Sequence, residues 1–280
     1  RKGIKGRRKK PPKATAKATR SHPPNELLRF FFTGAAPIYS IGLIKLLFDT
    51  KKSHISTGVT SENLSFFLRK EMFFHLIGYV EQIPVIFAER TPTFFELERH
   101  GIVLLTDWSG SKITKLPKFL FWIDQTHFHF LASQEDTLGL NHPDSRPGQY
   151  QPELWKYDVA EFFLLSSDEN RYLEFNLAPN GGWWSSAFCG PLIPAPREPL
   201  PIPNVQTSAE VNRNGWRARA SIPLSWLQKS YGFSKSTLLN ACFILNSPDQ
   251  IFVSAGNLGD GHPDYHRPQR FPPLDPITLA

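Results

Sequence analysis

The sequence predicts an all-β protein, a two-sheet antiparallel sandwich of jelly-roll-like type, and three observations carry that expectation. Strand-length runs rich in Val, Ile, Phe, Tyr and Trp recur from about Pro84 to the end. Gly, Pro, Asn, Asp and Ser punctuate them every ~10–15 residues, the spacing of a sandwich rather than of a βαβ array. With 25 prolines in 280 residues, long uninterrupted helices have little room.

The runs, in order, are PVIFAE, GIVLLTDW, KFLFWID, THFHFLAS, DVAEFFLL, RYLEFNLA, WRARASIP, ACFILNSP and QIFVSAG. One short helix is expected around PLSWLQKSYGF. The proline-rich stretch PLIPAPREPLPIP reads as a loop excursion, because strands continue beyond it.

The chain divides into three parts. Residues 1–24 hold ten Lys/Arg and no acid, which leaves 22 basic against 25 acidic residues in the rest, so the net charge of +7 belongs to this tail. Such a segment buries too little apolar surface to fold and is expected to be disordered. Basic tails can hold nucleic acid through counterion release, but neither nucleic acid nor a membrane is the expected partner here. Residues 25–71 contain the apolar run Leu27 to Phe48, signal-like in outline. Its charge-free core, Phe30 to Ile44, contains Pro37 and falls short of the ~20 residues a spanning helix needs. The single methionine is Met72, so residues 1–71 read as a candidate upstream extension. Residues 72–280 form the expected sandwich.

Within Leu154 to Trp184, alternation assigns faces. Leu173, Phe175 and Leu177 share one side of their strand, and Tyr172, Glu174 and Asn176 the other. In the partner strand, Ala160, Phe162 and Leu164 oppose Val159, Glu161 and Phe163. A turn at SSDEN that brings residue 166 near 171 sets Glu161 across from Asn176. A carboxylate and an amide on a sheet face, with Trp155 nearby, suit a polyhydroxylated ligand that stacks on an aromatic ring.

These segments, with GWRARASIPLSWL, NACFILNSPD and HPDYHRPQRFPPL, resemble the family 9 carbohydrate-binding modules and their DOMON-like relatives over roughly residues 84–280. The resemblance implies a non-catalytic β-sandwich that binds a mono- or oligosaccharide between two aromatic side chains, often in support of polysaccharide breakdown. The Trp-x-x-Asp-x-x-Glu motif stands as Trp155, Asp158 and Glu161, and Tyr265 takes the place of the second aromatic, before HRPQRF. The resemblance thereby implies sugar contacts from Trp155, Glu161 and Tyr265; Asn176, across from Glu161, is a further expected polar contact, and His262, in a final loop it shares with Asp264, His266 and Arg267, is expected to meet sugar hydroxyls, with a cation as the alternative. Calcium is known among these modules as a structural ion, so it is carried as the one implied cofactor, with no ligands assigned. Two departures stand out. Asn176 replaces an Arg of the sugar-binding members, and Ile244 replaces a Gln. They open the alternative of a DOMON-like structural or interaction module that has lost sugar binding.

Other chemistry finds less footing. His127 and His129 form an H-x-H on one strand face, expected to face solvent, without the glycine spacing and distal His of a cupin. Haem ligation lacks a methionine within the sandwich. Asp158 and Glu161 are three residues apart in one strand and face opposite ways, the wrong geometry for flanking a glycosidic bond. No nucleophile elbow, P-loop or Rossmann glycine pattern occurs, so catalysis has no candidate. Cys189 and Cys242 allow one bridge at most. Of the pair Trp183–Trp184, at least one ring is expected to pack on the sandwich edge.

Overall fold

A computed structural model describes residues 76–166, 171–196 and 201–279. The basic tail, the apolar run and Met72 lie outside the described residues, as does part of the proline-rich loop.

Two sheets face each other. The first contains β1 (Leu76–Ile77), β2 (Ile83–Phe87), β3 (Ile102–Leu104), β4 (Pro117–Ile123), β5 (His127–Glu135), β10 (Gln206–Asn212), β11 (Gly215–Pro223) and β14 (Leu274–Thr278). Its main path runs β1-β3-β4-β5-β11-β10, and β2 joins β4 beside β3 and carries β14. The second sheet runs β13 (Ile251–Ser254), β12 (Leu238–Leu245), β6 (Val159–Leu165), β7 (Tyr172–Leu177), β8 (Trp183–Gly190) and β9 (Ile193–Pro194). The second sheet is antiparallel throughout. The first is mixed, since β1 with β3, β2 with β4, and β14 with β2 pair in parallel. The all-β sandwich is therefore as expected, with parallel pairing at one edge in place of a wholly antiparallel first sheet.

All nine expected runs are strands. The alternation works as predicted because the inward set is apolar. Ala160, Phe162 and Leu164 meet Leu173, Phe175 and Leu177 in one buried cluster with Phe121, Phe128 and Phe130 of the first sheet. Phe162 stacks on Phe175 at 5.2 Å, and Phe175 stacks on Trp183 at 5.7 Å. Trp183 is thus the ring of the pair that packs inward. Burying rings of this size is the main force closing the sandwich, and truncating one to Ala costs ~3–5 kcal/mol.

Two helices complete the described fold. α1 (Phe94–His100) is absent from the sequence expectation, although Thr93 and Glu96 form a capping box at its start. It lays Leu97 on the outer face of the first sheet, against Ile86, Leu120, Trp122 and Leu131. α2 (Leu224–Tyr231), the expected helix, ends at Gly232, whose φ of +57° suits a left-handed cap. Leu224, Leu227 and Tyr231 bury its inner side. Among the described residues no helix is long and apolar enough to cross a membrane. Cys189 is exposed and Cys242 buried, and both are free thiols.

The outer face of the second sheet is not open. The segment 255–273 crosses it as a strap, tied by Gly256 N–H donating to Asn240 Oδ1 at 2.8 Å and by Leu239 N–H donating to the Pro272 carbonyl at 2.9 Å. Gly256 is required at its start, because a Cβ there would meet the Pro272 ring at 2.6 Å.

Candidate functional site

Glu161 lies opposite Asn176, the register expected from the 166–171 closure, and Ser166 N–H donates to the Arg171 carbonyl at 3.0 Å to close it. The outward residues then form a row across five strands: Ser254, Cys242, Glu161, Asn176 and Trp184. In the adjacent row Asn240, Phe163, Glu174 and Ser186 stand side by side. Two carboxylates and an amide therefore share one buried patch beneath the strap.

Asn176 is 0% exposed and Glu161 2%. Glu161 Oε1 has no hydrogen-bond partner within reach, and neither polar atom of the Asn176 side chain makes a hydrogen bond of full geometry, although the Asn176 amide interacts with the Glu174 carboxyl beside it. Leaving a buried polar atom unpaired costs ~1–3 kcal/mol each, and native interiors rarely carry such atoms without a reason. Burial, then the neighbouring Glu174 carboxylate, pushes Glu161 well above the ordinary carboxylate range. Burial pushes Glu174 up to about 7. Both causes favour the protonated Glu161 carboxyl, a form that can donate as well as accept.

The strap is held by aromatic and imidazole contacts. Tyr265 Oη donates to the Phe243 carbonyl at 2.7 Å and accepts from Val253 N–H at 3.0 Å. Its ring packs among Phe163, Trp108 and Phe252. His266 Nδ1 shares a proton with Tyr172 Oη at 2.8 Å, and its Nε2 lies 3.7 Å from Glu174. Burial lowers His266 and raises Glu174, and both shifts favour the uncharged forms of the two groups.

Trp155 sits in a one-turn 3-10 helix, Leu154–Lys156, at the mouth of the hairpin. Its ring is 38% exposed and meets Trp184 edge-on at 5.0 Å. Just after it, Asp158 accepts Leu140 N–H at 2.9 Å and Ser247 N–H at 2.7 Å. This ties two loops to the start of β6 and gives the middle residue of the motif a positioning role.

The expected facing clamp of Trp155 and Tyr265 needs correction in this conformation. Tyr265 is 6% exposed with its hydroxyl committed to β12 and β13, so neither ring face is open, and the ring that touches Trp155 is Trp184. His262 is exposed on the strap, its ring nitrogen 3.0 Å from the Pro263 carbonyl, away from the buried row. Ile244 packs in the apolar layer beneath the strap. Trp184, Glu174 and Cys242 are the site residues that sequence reasoning did not select; the register that paired Glu161 with Asn176 could have found Trp184 one strand further on.

A second correction concerns His129, expected to face solvent. It is buried, with Nδ1 2.8 Å from Ser221 Oγ and Nε2 2.9 Å from Asp124 Oδ2. Asp124 also accepts from the backbone of Thr126 and His127, each at 2.7 Å. Burial alone would raise Asp124; these hydrogen bonds outweigh it and lower its pKa. Among the described residues no group of three or more His, Cys, Asp or Glu is arranged to hold a metal ion.

By architecture this is a two-sheet β-sandwich. Its fold resembles that of a proposed carbohydrate-binding protein from Bacteroides uniformis, with a TM-score of 0.50 and 13% identity over 70% of this chain and 99% of that one. A weaker likeness, TM-score 0.46 and 15% identity over 70% of this chain and 97% of the other, is found to a family 9 carbohydrate-binding module from Caldicellulosiruptor kristjanssonii in complex with glucose. By sequence, the chain belongs to the UPF0462 family. It is 32% identical over 146 residues to the UPF0462 protein C4orf33 homolog of Rattus norvegicus, covering 49% of this chain and 68% of that protein. The Mus musculus homolog is 31% identical, covering 49% of this chain and 70% of its own length. No family model matches, and none of these relatives or structures supports the DOMON side of the expected resemblance.

Proposed function

We propose that this protein is a non-catalytic carbohydrate-binding module that takes a mono- or oligosaccharide at the outer face of its second sheet. The carrying observation is the under-satisfied set of Glu161 Oε1, Asn176 Oδ1 and Asn176 Nδ2, buried side by side in a row that ends at Trp184, whose ring meets Trp155. Sugar hydroxyls both donate and accept, so they complement a protonated carboxyl and an amide together. The two rows contain no Arg or Lys, which disfavours an anion, and their two carboxyls, Glu161 and Glu174, stand with raised pKa values, which disfavours a cation. Trp155 offers the half-exposed ring for stacking, and Tyr265 backs the site by holding the strap. The shared sandwich fold supports the reading without assigning a sugar.

Titration of the full chain with a panel of mono- and oligosaccharides tests the proposal: binding at any sugar that is lost in Trp155→Ala supports it. Binding unchanged in that variant removes Trp155 from the site.

A second reading is a structural or interaction module that keeps the sandwich without a sugar site. The buried Tyr265 and the apolar Ile244 favour it, and no binding to any sugar would select it.

A further inference from the structure

Beside the strap lies a feature that the single-site reading leaves unused. The loop between β3 and β4 meets β13, with Trp108 N–H donating to the Phe252 carbonyl at 2.7 Å. The loop is stiffened by Asp107 Oδ1, which accepts from Ser109 N–H and Ser111 N–H, each at 2.9 Å. Trp108 itself is held on three sides: its Nε1 donates to the Gly261 carbonyl at 2.9 Å, the Arg267 guanidinium lies 5.4 Å from its centroid, and Tyr265 lies at 6.0 Å. A side chain fixed this way loses little freedom when something stacks on it.

Between Trp108 and Phe252 opens a cleft of about 440 Å³, rimmed by Ser109, Gln250 and Asp260. Small-molecule sites run on the order of 300–1,000 Å³ and combine aromatic lining with a few polar groups. The cleft is joined to the proposed sugar site through one residue. Gln250, on its rim, donates from Nε2 to the Trp155 carbonyl at 3.0 Å, and Phe252, on its wall, packs against Tyr265. Trp155, through Gln250, and Trp108, through Phe252, thus both adjoin the start of β13.

We infer that this cleft is a second subsite, that Trp108 is its stacking ring, and that the ligand of the protein is a linear oligosaccharide spanning from Trp155 to Trp108 rather than a single sugar. The inference rests on the sugar-binding reading above. Asp260 and Gln250 would take hydroxyls of the unit that lies over Trp108.

Calorimetric titration of the full chain with glucose, mannose, xylose and N-acetylglucosamine and with their linear β-1,4 di- and trisaccharides tests it. In at least one series the trisaccharide should bind tenfold or more tightly than its monosaccharide. Trp108→Ala and, separately, Asp260→Ala should erase that gain while the monosaccharide affinity stays unchanged. Equal affinity at every length overturns the subsite, as does a trisaccharide affinity that neither variant lowers. A loss that is equal for mono- and trisaccharide in Trp108→Ala would mean that Trp108 acts by supporting Tyr265, which also overturns it. Should Trp108→Ala fail to fold, the exposed Asp260→Ala decides alone. If no sugar of any length binds, the sugar-binding reading falls and the subsite falls with it, an outcome distinct from length-independent binding.

Discussion

The two outer faces of the sandwich carry buried polar clusters that look alike in composition and differ in satisfaction. On the first sheet, His129 links Asp124 to Ser221, and Asp124 further accepts from Thr126 and His127. On the second, Glu161 and Asn176 are as deeply buried, but Glu161 Oε1 has no partner and the Asn176 amide has only its interaction with the Glu174 carboxyl, short of full hydrogen-bond geometry. The first face has two isolated orphans among the described residues, the Trp122 indole N–H, which lies under the Arg90 guanidinium, and the Ser208 hydroxyl, neither of them part of the His129 network. A closed network makes a rigid fold, whereas an open one keeps hydrogen-bonding capacity in reserve. The difference argues that the polar cluster on the first face is architecture and that the one on the second is a site.

The largest effect should come from breaking the closed network. His129→Ala leaves Asp124 buried without its imidazole, and a stability loss of ~3 kcal/mol or more is expected by denaturant unfolding, with any sugar binding retained in the folded fraction. Losing binding at full stability would reverse the assignment of the two faces.

The next effect is pH-dependent. Glu174 is raised in the folded state, so its contribution to stability is fully present below the unfolded value near 4.5 and is lost as pH rises through about 7. Glu174→Gln removes this loss. The variant's stability relative to the parent should rise between pH 4.5 and 7 by at most roughly 3 kcal/mol, measured by denaturant unfolding at a series of pH values. A difference that is flat with pH would mean that the carboxyl is solvated.

A smaller effect is expected at the strap. Tyr265→Phe deletes the hydroxyl that bridges Phe243 and Val253 and should cost ~1–2 kcal/mol. Hydrogen exchange should show faster opening of 255–273 than of the core strands. The smallest stability effect belongs to Trp155→Ala, below ~1 kcal/mol because the ring is half-exposed, while sugar binding is lost.

Much of the fold was legible. Nine strands announced themselves because their inward residues are large and apolar, and the hairpin register followed from one turn. β8 escaped because WWSSAFCG mixes small polar residues into the strand, and β10 escaped because QTSAEVN, at a sheet edge, has little apolar alternation to show. α1 had a visible signal in Thr93 and Glu96, but its seven residues are too few for periodicity. The site was legible only in part. Alternation assigned Glu161 and Asn176 to the outer face, but it could not reveal that a segment some ninety residues later covers that face, and so could not foresee Tyr265 as a buried anchor. The same blindness placed His129 in solvent, because the segment that approaches it, through Thr91 Oγ1 donating to Asp124, belongs to a different strand's loop.

The central claim is that the orphaned pair Glu161 and Asn176 is kept for a ligand and not for the fold. The most direct test is Asn176→Leu, close to Asn in shape, measured by thermal unfolding together with titration against the sugar panel. The account predicts a variant at least as stable as the parent that has lost sugar affinity by tenfold or more. A variant that is destabilised by several kcal/mol, or that binds every sugar as the parent does, would contradict it.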